Sequence, residues 1–150
     1  QRGIHTAIET SGYCKPETFR EIANHVDLFL YDIKLIDPQK HQMYTGKPND
    51  WILQNLSWLS ESKQSVIIRF PLIPDITDTD QNIGDVIHLM DRLDLQHIDL
   101  EPYHVLGMAK YAELGMTITP ELIAHDSGYS VEKLTEVKDR FELSGKKNAD

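Results

Sequence analysis

The chain has 150 residues, 40 % apolar and 26 % charged, with a formal net charge of −9. That is long enough for one domain with a real core, and the acidic balance argues against nucleic-acid backbones and anionic membranes, which attract basic surfaces. No run approaches the ~20 consecutive apolar residues that span a bilayer, and the single cysteine, Cys14, excludes an internal disulfide or a multi-cysteine metal site.

The sequence opens on Gln1-Arg2-Gly3 with no initiating Met and no visible secretory signal, so a piece of a longer, cytoplasmic protein is expected. Residues 4–10 (IHTAIET) predict a first strand ending in Glu9-Thr10-Ser11-Gly12, with His5 packed near its bottom. Residues 16–25 predict a helix, with Phe19, Ile22, Ala23 and Val26 at spacings of three and four. Cys14, between the two, reads as an incidental loop thiol. The second strand, 27–34 (DLFLYDIK), ends in Asp32 and Lys34. Asp37-Pro38 starts a short helix that stops at Gly46. Asn49 is the expected N-cap of a helix with Ile52, Leu53, Leu56 and Leu59 on one stripe.

The third strand, 65–70 (SVIIRF), ends in Arg69 and runs into FPLIPD. DITDTD at 75–80 reads as a solvated loop and helix cap, or less simply as a cation loop. Asp78 or Thr79 starts the helix carrying Ile83, Val86, Ile87 and Met90. The fourth strand, 96–101 (QHIDLE), leads to Pro102-Tyr103-His104, and its parity is open: either Ile98 and Leu100 or Asp99 and Glu101 face the core. A short helical piece around 108–114 and a cap at Thr119 before Pro120 precede a helix over 130–143 with Val131, Leu134, Val137 and Phe141 on one face. Residues 145–150 are expected to fray at the end of a single domain, 1–150.

Strands alternating with helices at roughly 25–35 residues per unit are the rhythm of βαβ crossovers and a parallel sheet. Two architectures fit: an open doubly wound sheet, or a partial (β/α) barrel of about four βα units whose first strands are missing. The doubly wound form normally carries a glycine-rich phosphate turn after its first strand. Here that turn is Ser11-Gly12-Tyr13, without GxGxxG.

In βα proteins the working groups lie at the carboxyl ends of the strands. Leu28, Leu30, Asp32 and Lys34 share one face of the second strand, which puts two opposite charges at its mouth. A ligand with both an ammonium and a carboxylate satisfies them: Asp32 and Glu9 accept from the ammonium, and Lys34 donates to the carboxylate. The alternative is an Asp32–Lys34 or Glu9–Lys34 ion pair that only caps the core. Arg69 neutralises a phosphate, a carboxylate or Glu101. His104 lies on a turn, either facing a ligand or on the plain surface. The seven histidines show neither HxH nor HExxH spacing, and no serine stands in a GxSxG elbow.

GIHTAIETSGY, YDIKLIDPQKHQMYTG, Asn49 with ILQNL at 52–56, IIRFPLIPD and EPYHVLGMAKY occur together in an order and spacing that resembles the glycyl-radical-enzyme activating enzymes of the radical S-adenosylmethionine superfamily. The resemblance covers roughly residues 3–115. It implies a partial β/α barrel whose 4Fe–4S cluster, held by three cysteines, reductively cleaves S-adenosylmethionine. The radical so formed removes hydrogen from a glycine of a partner glycyl radical enzyme, with flavodoxin or ferredoxin as electron donor. Methionine's headgroups supply the zwitterion. By matching motif positions, Glu9, Ser11, Asp32 and Lys34 contact the methionyl moiety, Arg69 and His104 lie near the ribose or adenine, and the loops 41–46 and 105–111 help receive the partner's glycine loop.

Two departures stand out. The CxxxCxxC loop and the GGEP-type strand end are not in the chain. Both would lie upstream of Gln1, so the cluster ligands belong to the parent protein and the chain alone is expected to be inactive. Asp75 also stands where the family usually has glycine, and a positive φ there has a cost for Asp. Two other readings remain open: a non-catalytic half-barrel that docks a protein or a small zwitterion, and an ordinary β/α-barrel enzyme using Asp32, Lys34 and Glu9 for acid–base or Schiff-base work.

Overall fold

The computed structural model describes residues 3–103 and 129–149. Its sheet is built from parallel strands β1 (Ala7–Thr10), β2 (Leu28–Asp32), β3 (Val66–Leu72), β4 (His97–Pro102) and β5 (Lys147–Asn148). The strands lie side by side in chain order. A doubly wound sheet reverses its order at a switch point; among the described residues this one does not. It is the wall of a partial (β/α) barrel.

The helices are α1 (Pro16–Ala23), α2 (Pro38–Thr45), α3 (Asp50–Glu61), α4 (Asp80–Arg92) and α5 (Val131–Leu143). Local chemistry sets their starts. Pro16 and Pro38 occupy first-turn positions where a missing N–H is harmless. Asp37 accepts from Gln39 N–H and Lys40 N–H, each at 2.8 Å. Thr79 and Ser130 accept from Asn82 N–H and Lys133 N–H. Asn49 precedes α3 but makes no side-chain cap; its amide works elsewhere.

Phe29, Tyr31, Ile68, Phe70, Ile98 and Leu100 point to one side of the sheet, where they pack against Phe19, Leu56, Leu59, Ile83, Met90 and Phe141 of the helices. Ile98 and Leu100 therefore face the core, and Asp99 and Glu101 face away from it. The second side of the sheet carries Glu9, Leu30, Asp32, Ile67, Arg69 and Asp99, none of them in the core. Strand register sets Glu9 beside Leu30 and Ile67, and Asp32 beside Arg69 and Asp99.

Three expectations need correcting. His5 is exposed rather than packed, because regular pairing of β1 begins only at Ala7. Val131 and Ile22 are 72 % and 41 % exposed, so the apolar stripes of α5 and α1 are narrower than their spacing suggested. Residues 145–149, expected to fray, are partly paired. Gly145, at φ 77°, closes α5 and returns the chain along the free edge of β4. There Lys147 N–H donates to Gln96 O at 2.7 Å and Ala149 N–H to Ile98 O at 2.8 Å. Unpaired edge groups drive this pairing. Lys146, buried, meets Asp91 at 2.5 Å. His104, the piece at 108–114 and Thr119 lie outside the described residues. Among those described, no helix is long and apolar enough to cross a membrane.

Candidate ligand-binding rim

Parallel strands deliver their carboxyl ends to one rim. Arg69, whose side chain is 16 % exposed, ties that rim together. Its Nη1 lies 2.5 Å from Glu9 Oε1 and its Nε 3.5 Å from Asp99 Oδ2, while Nη2 pairs with Glu101. Glu101, foreseen as one partner, is thus joined by acids from two strands. Glu9 pairs with Arg69 and not with Lys34. Lys34 Nζ lies 3.1 Å from Asp32 Oδ2, so the simple ion pair between them is formed. Both side chains remain partly open to solvent, at 36 % and 23 %.

The rim is not electrically balanced. Among the described residues, Glu9, Asp32, Asp99 and Glu101 pair with two cations, Lys34 and Arg69. The surplus is negative, and it attracts a cationic group. Arg69 Nε is buried and, among the described residues, has no hydrogen bond. The carboxylate surplus suits a ligand that brings more positive than negative charge, and the Arg69 Nε–H suits an acceptor on it.

Ser11 is half-buried on a turn that its neighbours fix. Asn55 Nδ2 donates to Gly12 O at 2.8 Å and to Cys14 O at 3.0 Å. Thr10 Oγ1 accepts from Gly12 N–H at 2.9 Å. The Tyr31 ring fills the space beside Gly12, and its hydroxyl donates to Ile52 O at 2.7 Å. Burial pushes the Cys14 thiol up, away from thiolate character.

The loop after β3 is more ordered than a solvated acidic stretch. Asp78 is buried, accepting from Asp75 N–H at 2.7 Å and Tyr129 O–H at 2.9 Å. Asp75 takes φ 62°, the left-handed conformation in question from the sequence. In α2, His41 is buried with Nδ1 2.7 Å from Lys47 O; a carbonyl only accepts, so Nδ1 carries the proton.

Sequence reasoning missed the residues that hold the rim's backbone: Tyr31, Asn55, Thr77, which accepts from Ile73 N–H and donates to Pro71 O, and Asn82, which donates to Lys34 O; Asn49 holds the expected N-cap position without a side-chain cap bond. The available signal was asparagine on the buried stripe of an amphipathic helix, where a polar group persists only if it is hydrogen-bonded. A cleft of about 410 Å³ is lined by Leu28, Val66, Ile67, Leu95 and His97. It opens at the amino ends of the strands, away from the ionic groups of the rim.

A scan against protein-family models finds no match. Over 145 residues the chain is 43 % identical to the trans-4-hydroxy-L-proline dehydratase activating enzyme of Clostridioides difficile, covering 95 % of the chain and 47 % of that protein. It is 44 % identical over 119 residues to the choline trimethylamine-lyase activating enzyme of Oleidesulfovibrio alaskensis, covering 77 % and 38 %. The chain thus spans about half or less of these relatives' length. Among solved structures, a domain of pyruvate-formate lyase-activating enzyme from Bacteroides vulgatus superposes with a TM-score of 0.74 at 26 % identity, covering 99 % of this chain and 81 % of that one.

Proposed function

The chain belongs to the glycyl-radical-enzyme activating enzymes, one of which it matches along 95 % of its length, and we propose that its rim holds the methionyl part of S-adenosylmethionine in an activase. The carrying observation is the surplus of carboxylates at the strand ends. The ligand's ammonium and sulfonium are two positive charges against one carboxylate, which complements that surplus. Glu9 and Asp32 accept from the ammonium, Lys34 donates to the carboxylate, and the Ser11 hydroxyl adds a contact from the fixed turn. Arg69 holds Glu9 and Glu101 in place on the ribose side, where His104 also belongs.

When bound beside a reduced 4Fe–4S cluster, S-adenosylmethionine supplies the hydrogen-atom abstraction that leaves a radical on a glycine of the partner enzyme. The chain's one cysteine leaves the cluster's ligands to other parts of the parent protein. The partner is a glycyl radical enzyme, and the electron donor is a flavodoxin or ferredoxin of the cytoplasm. The test is anaerobic reconstitution of the intact gene product with iron and sulfide, followed by reduction and addition of S-adenosylmethionine. Release of 5′-deoxyadenosine is expected; a reduced cluster that yields none overturns the proposal.

A further inference from the structure

Lys34 reaches the rim from main chain beyond the end of β2, which stops at Asp32. One side chain from a distant helix holds that main chain. Asn82, in the first turn of α4, is 4 % exposed. Its Nδ2 donates to Lys34 O and to Thr77 O, each at 2.8 Å, and its Oδ1 accepts from Ile36 N–H at 3.0 Å. Both amide protons and the carbonyl are spent. These contacts need two donors and one acceptor on a short side chain. Asp has the length without the donors, and Leu has neither donor nor acceptor. Asn82 is itself seated by Thr79, whose hydroxyl accepts from its N–H at 3.3 Å. Asn49, also buried, donates to Leu35 O at 3.2 Å and Ile36 O at 2.8 Å.

We propose that Asn82 is the positioning residue for Lys34. It locks the β2 exit to the β3–α4 loop and so sets where the Lys34 ammonium stands for the ligand's carboxylate. The inference rests on the reading of Lys34 as the carboxylate's partner. Nothing in it requires Asn82 to touch the ligand.

The test compares equilibrium binding of S-adenosylmethionine and its decarboxylated analogue to the intact gene product. The analogue keeps the adenosine, sulfonium and ammonium and lacks only the carboxylate. Asn82→Asp and Asn82→Ser are both made, the serine because it buries no charge if the aspartate fails to fold. Each is expected to weaken S-adenosylmethionine binding on the order of tenfold while leaving the analogue within about twofold. Lys34→Ala is expected to abolish the preference for the carboxylate, and adding Asn82→Ser to it changes the preference no further. Equal weakening of both ligands, or additive effects in the double variant, shows a merely structural role and overturns the inference. If Lys34→Ala removes the preference while the Asn82 variants keep it, the inference alone falls. If Lys34→Ala leaves the preference intact, the carboxylate reading falls and takes the inference with it.

Discussion

At Gly12 the main chain turns through φ +67° against the Tyr31 ring, and any Cβ there collides with the phenol. Tyr31 has no room to retreat, because its hydroxyl is bonded to Ile52 O within the core. Gly12→Ala combines left-handed strain with overpacking and is expected to cost about 2 kcal/mol or more in urea unfolding. Gly46→Ala, at φ +73° in open space, is expected to cost only about 1 kcal/mol. Asp75 is the converse case, an Asp at φ 62°. Glycine there relieves ~1–2 kcal/mol of strain and returns ~0.5–1 kcal/mol of chain entropy. Asp75→Gly should therefore fall between neutral and about 1.5 kcal/mol more stable. Tyr31 and Tyr129 give a pH signature. Burial raises both phenols, and the carboxylate of Asp78 raises Tyr129 further. A raised folded pKa gives stability that is whole below the unfolded value, about 10, and is lost as pH climbs through it toward the folded value. Unfolding free energy should fall above about pH 10, and less steeply in Tyr129→Phe. Period-two parity brought Glu9, Asp32, Lys34 and Arg69 to one rim in the sequence itself. The Asp32–Lys34 and Arg69–Glu101 pairs were among the readings the sequence allowed; the pairing of Arg69 with Glu9 and Asp99 was not legible, because these residues meet only through strand register. Asn82 was hidden for a similar reason, since its partner Ile36 lies 46 positions away.

At the scale of elements, what the sequence signalled was local. Proline at first-turn positions, hydroxyl caps and three-four spacing located the described helices to within a residue or two. Thr79→Ala is expected to cost about 1 kcal/mol of stability in urea unfolding, and the loss should be recovered in Thr79→Ser. What stayed hidden was relational. The parity of β4 was undecidable because apolar and acidic residues alternate evenly in HIDLEP; the packing of Ile98 and Leu100 against the helices decides it. β5 has two residues and carries no periodicity. It exists because β4 offers an unpaired edge just where Gly145 redirects the chain. Asn49 stands at the N-cap position, but its Nδ2 donates to two carbonyls of the β2 exit, and its Oδ1 makes no capping bond.

At the scale of the molecule, strands in chain order with the core on one side leave a second, ionic side, and that side is what a barrel turns inward. The outer edge of β1 is unpaired among the described residues, so the isolated chain is expected to self-associate by strand pairing. The net charge of −9 opposes this, so sedimentation should show more dimer as salt rises; monomer at all salt concentrations would remove the edge argument. The functional account depends on the rim more than on the edge. Its most direct test is a crystal structure of the intact gene product with S-adenosylmethionine bound. The expected result has the methionyl ammonium in hydrogen-bond reach of Glu9 and Asp32, with Lys34 turned from Asp32 to the carboxylate. A methionyl group bound elsewhere, with the Asp32–Lys34 pair undisturbed, would contradict it.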